Sequence, residues 1–235
     1  IEWVQGSQFR IYSIAFSASR EQIASASDTS VIIWDTNTGR YLRTVPRIGA
    51  FAVAARQDGS MVAASANKIW RFDPLTGIVA SELSYQASGP FSQPYLSRKG
   101  DYLTRTANSA VEVFAVDSGQ KVRTFSGSLK AFTFSHDSSR VAFAANGPRL
   151  KVLDFATGDV LIDSPLSFNV STIATGNISN RIALGNSDGI RVLDETGNQV
   201  LSVPIAPNTE LSSLTWSPDD QRLVAGVRRS GWKGV

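Results

Sequence analysis

Val31-Ile32-Ile33-Trp34-Asp35-Thr36-Asn37-Thr38-Gly39 joins a short apolar run to a polar turn that closes on glycine. The same closing turn, Asp/Asn-x-Thr-Gly or a near variant, returns at Gly77, Gly119, Gly158 and Gly197, at spacings of 38, 42, 39 and 39 residues. A fixed period of about 40 residues is the signature of a propeller or another repeat array.

Each glycine follows an equivalent run: Ile69-Trp70-Arg71-Phe72-Asp73, Val111-Glu112-Val113-Phe114, Leu150-Lys151-Val152-Leu153-Asp154 and Ile190-Arg191-Val192-Leu193-Asp194. Most of these alternate apolar and other residues, as a half-buried strand requires. Upstream of each lies a pair of runs split by a polar turn, such as Phe132-Thr133-Phe134-Ser135 and Arg140-Val141-Ala142-Phe143. Downstream comes a fourth run, such as Tyr41-Leu42-Arg43-Thr44-Val45. Each unit therefore reads as four antiparallel strands. A unit of that size cannot bury both its faces alone, so units stack as blades around a channel. The chain has 235 residues and 42% hydrophobic content, with no linker or helical periodicity. The expectation is an all-β, single-domain β-propeller of four-stranded antiparallel blades.

The unit running from Ile11 to Gly39 resembles a WD-repeat blade. Trp34-Asp35 stands at the family's signature dipeptide, and Asp28 stands where the family places its turn Asp. Ser217-Pro218-Asp219-Asp220 and Ser135-His136-Asp137-Ser138 are similar to its Ser-Pro-Asp-Gly turn. The family's Gly-His pair, which feeds a histidine into a network with a strand Ser/Thr, the Asp and the Trp, is replaced by Gly6-Ser7 and Gly127-Ser128. Losing one such bond costs about 1 kcal/mol per blade, so stacked apolar faces should hold the blades. The resemblance implies that an N-terminal outer strand closes the last blade. Blade units then fall at about 11–47, 48–90, 91–128, 129–168, 169–208 and 209–235, with 1–6 as closing strand; a fragment of seven blades is the competing count. The start at Ile1 and the short last unit lead us to expect a segment of a longer polypeptide. Phrases such as Ile23-Ala24-Ser25-Ala26-Ser27-Asp28 are similar to the C-terminal repeats of fungal NACHT-type signalling ATPases. Phe72-Asp73-Pro74-Leu75-Thr76-Gly77 also resembles repeats of quinone-cofactor propellers. That family's docking Trp is replaced here by Ser81 and Glu82, or by Leu161 and Ile162, so the WD reading is favoured.

Composition narrows the chemistry. A net charge of +3 with scattered Lys and Arg lacks the concentrated basic stripe that nucleic acid requires. One histidine and no cysteine leave no usual metal set. No serine-nucleophile elbow, phosphate loop or membrane-length apolar stretch is present. Asn169-Val170-Ser171 and Asn177-Ile178-Ser179 fit the glycosylation pattern, which arises by chance about once in a chain this long. We expect no catalytic residue, cofactor or metal, no nucleic acid or membrane partner, a monomeric domain and a cytoplasmic location.

The resemblance makes one annular face the docking surface. Loops leading into the first strands bring Phe9, Arg10, Arg47, Phe91, Phe168, Asn169 and Glu210, and loops between second and third strands bring Lys68, Arg149, Arg228 and Arg229. Aromatic and arginine side chains dominate interface energies; the phenylalanines could equally be buried between blades. Asn67, Asn108, Asn146 and Asn186 recur in the second set and read as turn formers able to adopt left-handed backbone. The leading expectation is a non-catalytic platform for a protein or peptide within a larger signalling protein. A sensor of a small ligand or glycan in the channel and, further off, a propeller hydrolase are the alternatives.

Overall fold

The structure, a computed structural model, describes residues 10–89, 92–107, 109–127, 129–145, 148–206 and 209–229. Every regular element in it is a strand, and the strands follow one another as antiparallel meanders. Contacts divide the chain into a unit of residues 1–126 and a unit of residues 127–235.

The first unit holds three four-stranded sheets. They are β1 (Ile11–Phe16), β2 (Gln22–Ser27), β3 (Val31–Asp35) and β4 (Tyr41–Val45); β5 (Ala52–Ala55), β6 (Met61–Ala64), β7 (Lys68–Phe72) and β8 (Val79–Ser84); and β9 (Tyr95–Leu96), β10 (Tyr102–Ala107), β11 (Ala110–Ala115) and β12 (Lys121–Ser126). The second unit holds β13 (Leu129–Phe134), β14 (Arg140–Ala145), β15 (Arg149–Asp154) and β16 (Val160–Pro165), then β17 (Thr172–Thr175), β18 (Ile182–Gly185), β19 (Gly189–Leu193) and β20 (Gln199–Pro204). A two-stranded sheet of β21 (Thr209–Trp216) and β22 (Leu223–Arg229) follows. This is an all-β architecture in which a four-stranded antiparallel sheet recurs along the chain. Residues 1–6, assigned above to a closing strand, lie outside the described residues.

Sheets stack face to face within each unit. Met61 and Ala63 of β6 face Ile33, Val31 and Ala24 of the first sheet, while Val62 and Ala64 face Leu103 and Phe114 of the third. In the second unit Ile182 and Leu184 of β18 face Leu150 and Val152, and Ala183 faces Leu211, Leu214 and Trp216. Both strands are buried at every position. Two-sided burial explains why they read as continuous apolar runs without alternation.

The glycine turns share one construction. Asp35 Oδ1 accepts from the Thr38 N–H at 2.8 Å and from its hydroxyl at 2.7 Å, and the Gly39 N–H donates to the Asp35 carbonyl at 2.9 Å. Asp73, Asp154 and Asp194 hold their turns in the same manner. A bulge precedes each turn at the same register, between Ile33 and Trp34, Arg71 and Phe72, Val113 and Phe114, Val152 and Leu153, and Val192 and Leu193. A turn closing on left-handed glycine generates such a bulge. Gly39 and Gly119 both sit near φ 68°, at 69° and 68°. A Cβ on Gly39 would meet open space, whereas on Gly119 it would lie 2.8 Å from the Ser84 carbonyl oxygen.

The left-handed reading does not hold for Asn67 and Asn186, the described asparagines of that set. The described non-glycine residues with positive φ are Arg20, Arg47, Ser109, Ser138 and Asp220, none of them Asn. Asn186 instead forms its turn through its side chain, whose Oδ1 accepts from the N–H groups of Asp188 at 2.9 Å and Gly189 at 3.2 Å. Asn67 contributes its backbone carbonyl, which accepts from Tyr85 N–H at 2.9 Å. Asn108 and Asn146 lie outside the described residues.

A polar clasp joins the last two sheets of the second unit. Buried Asp220, in the β21–β22 turn, accepts from the N–H groups of Asn177, Ile178 and Ser179 at 2.6, 2.8 and 2.7 Å, and from the Ser179 hydroxyl at 2.8 Å. The Asn177 amide donates to the Ser217 carbonyl at 2.7 Å. Burial pushes the Asp220 carboxyl up, but these donors outweigh it and hold the group well below the ordinary carboxylate range.

Two predictions follow from this geometry. Gly39→Ala should cost about 1 kcal/mol, from backbone strain alone, and Gly119→Ala clearly more; equal losses in urea melts would contradict the contact with Ser84. For pH, a carboxyl depressed in the folded state contributes stability that is complete above its unfolded value and lost as pH falls through the folded one. Asp137, lowered from 3.8 to about 2 by the Ser135 hydroxyl against burial, and by Ser139, sets that window, with Asp220 acting in the same direction. Stability should therefore decline from about pH 4 toward pH 2. Asp220→Asn should lose about 1–3 kcal/mol at pH 7 and flatten this acid limb; a variant as stable as wild type at pH 7 would refute the clasp.

Candidate interaction surface

At one end of the second unit three connections meet: the segment leading from β16 into β17, the β18–β19 turn and the start of β21. Between them is an open cleft of about 620 Å³, lined by Phe168, Asn169, Asn186, Asp188, Arg191 and Glu210 among others. Phe168, Asn169 and Glu210 are thereby brought together from the residues expected on the docking face.

Phe168 takes the buried alternative. It is 9% exposed and packs with Val170, Leu150 and Leu184 in the core between the fourth and fifth sheets. The guanidinium carbon of Arg191, on β19, lies 3.9 Å from its ring centroid, and Arg191 Nη1 donates to Ser167 Oγ at 2.7 Å. Stacking and hydrogen bond together fix the guanidinium at the cleft wall. Asn169 is exposed beside it, and Val170 is buried. Ser171 anchors the segment, its hydroxyl donating to the Gly185 carbonyl at 3.0 Å. Asn186, also buried, donates through Nδ2 to Asp188 Oδ2 at 3.2 Å. Glu210 is exposed in β21 and stands opposite Arg228 in the strand register.

Arg191 and Ser167 escaped the sequence reading. Arg191 was one residue of an alternating strand, and nothing local distinguished it. The available signal was the comparison of repeats: aligned on the turn, its counterparts are Ile32, Trp70, Glu112 and Lys151.

The other expected face residues are placed separately. In the first unit Arg10 is exposed, with its guanidinium 5.3 Å from the Tyr12 ring centroid. Arg47 is exposed at φ 61°. Lys68 is ion-paired with Glu82, which also accepts from Trp70 Nε1 at 2.8 Å. In the second unit Arg149 pairs with Asp163 at 2.8 Å. Phe9 and Phe91, with the side chains of Arg228 and Arg229, lie outside what the structure describes.

The residues behind the WD resemblance also find their places. Trp34 Nε1 donates to Ser25 Oγ at 2.8 Å, crossing from β3 to β2. Asp28 occupies the expected turn but not that network: it is exposed, and Ser27 makes the turn's hydrogen bonds through its hydroxyl and backbone. Without a histidine to bridge inward, an exposed carboxylate gains more from water than from the blade interior. Among the described residues no group of three or more His, Asp or Glu is placed to hold a metal ion, and no helix is long and apolar enough to cross a membrane.

No curated protein matches the chain. Residues 3–35 match the family model described as WD domain, G-beta repeat, a span that takes in β1 to β3, Ser25 and the Trp34-Asp35 pair. Together with the recurrence of the four-stranded sheet along the chain, this match supports a WD-repeat propeller architecture.

Proposed function

We propose that the chain is a non-catalytic protein-interaction module that receives a peptide segment of a partner protein in the cleft formed by Phe168, Asn169, Asn186, Asp188, Arg191 and Glu210. WD-type repeats generally serve as protein-interaction modules, which favours a scaffold over an enzyme. The observation that carries the reading is the cleft itself: loops from consecutive sheets converge around about 620 Å³ and offer a stacked arginine, amides and carboxylates. An extended peptide of several residues fits such an opening, and a rigid aromatic–arginine pair is the kind of anchor on which interface energy concentrates.

Filling the cleft tests the reading. Ser187 is exposed in the cleft lining, and Ser187→Trp should occlude it without disturbing the core. In a random-peptide display selection, wild type should enrich sequences that Ser187→Trp binds at least about tenfold more weakly, with melting temperatures within about 2 °C of each other. Equal binding by the two proteins would place recognition elsewhere.

A further inference from the structure

The repeats supply their own comparison for Arg191. In the second sheet its counterpart Trp70 donates to Glu82, which is its register partner on the outer strand β8. In the third, Glu112 is 3% exposed and meets Lys121 of the outer strand β12 at 2.8 Å. In the fourth, Lys151 lies 3.6 Å from Asp163, its register partner on the outer strand β16. Each of these polar groups is thus satisfied by the outer strand of its own sheet. In the fifth sheet the register partner of Arg191 is Ser202 of β20, which carries no charge. No ion pair among the described residues includes Arg191.

Resting on the peptide-binding reading of the cleft, we infer that Arg191 is its recognition residue and that the group it takes is a carboxylate from an acidic side chain of the partner peptide. One of its N–H donors is used on Ser167 Oγ. A guanidinium has five donors in a planar fork that matches a carboxylate with two parallel hydrogen bonds. Stacking on Phe168 at 3.9 Å holds that plane before the ligand arrives, which reduces the ordering cost of binding. The cleft also discriminates between anions. Asp188 lines the same space, so a phosphate carrying nearly two negative charges meets more repulsion than a carboxylate carrying one. The peptide fitting this arrangement presents a glutamate or aspartate to Arg191, with neutral or basic neighbours toward Asp188.

The test uses arrays of decapeptides with randomised flanks and a fixed central Glu, Gln or phosphoserine. They are probed with wild type, Arg191→Gln, Arg191→Lys and Ser202→Asp, all checked for unchanged melting temperature. Ser202 is exposed, so Ser202→Asp adds on β20 the kind of internal acid that the fourth sheet has, without a core change. Wild type should prefer Glu over both Gln and phosphoserine by about tenfold or more. Arg191→Gln and Ser202→Asp should both abolish that preference, and Arg191→Lys should retain a fraction of it. Binding by wild type that ignores the Glu-to-Gln change, or a preference that survives in Arg191→Gln, overturns the carboxylate assignment while leaving the cleft as a peptide site. Failure of wild type to bind any of the arrays overturns the peptide-binding reading of the cleft as well.

Discussion

A blade has two apolar faces, and only neighbouring blades can cover them. That constraint organises both units. It makes β6 and β18 apolar at every position, with alternate side chains serving opposite neighbours: Met61 and Ala63 one way, Val62 and Ala64 the other. Small residues in these strands let adjacent sheets approach, while larger ones such as Phe72, Phe114 and Leu184 fill the space between them. Burial on this scale contributes about 1.5–3 kcal/mol for each large side chain. The clasp around Asp220, which joins two neighbouring sheets, adds direction to an association that apolar contact alone leaves undirected.

Polar groups are accommodated where the stacking permits. The position three before the first turn residue (Asp35, Asp73, Ala115, Asp154 or Asp194) carries Ile32, Trp70, Glu112, Lys151 and Arg191 in successive sheets, a change from apolar to charged at one place in a common frame. A polar group at a partly covered site needs a partner, and the outer strand supplies it for the Trp70 indole and for the charges of Glu112 and Lys151. Arg191 is held differently, by the face of Phe168 and the Ser167 hydroxyl. The local scaffold stays the same, so a change in one pair of side chains decides whether the group at this position is paired within its own sheet.

Much of the fold was legible because it repeats. Each Gly at the end of a turn marks a left-handed residue, and where the preceding Asp and Thr occur the Asp carboxylate accepts from the Thr hydroxyl and from a turn N–H. Such features depend on neighbours within a few residues and can be read from the chain. The resemblance located Trp34 and Asp28, yet only Trp34 reached its expected kind of partner. Asp28 stayed in solvent because the bridging histidine is missing. The asparagines were correctly read as turn residues in the case of Asn186, but for a conformational reason where the operative one is a side-chain hydrogen bond.

The site was legible in part. Phe168 and Asn169 could be assigned to a loop leading into a first strand, since loop position follows from the repeat count, whereas Glu210, expected in such a loop, lies within β21. Whether Phe168 faced solvent or the core could not be assigned, because that depends on Leu150 and Leu184, far away in sequence and adjacent only once two sheets stack. Arg191 depended on tertiary structure still more, its role being defined by Phe168, Ser167 and Ser202 from other elements. By itself the sequence determined the repeat, the strands and the turns, all of which rest on short-range backbone chemistry. The tertiary structure decided which side chains are buried, which charges are neutralised and where a cleft opens, because burial and pairing are properties of surfaces that meet only after folding.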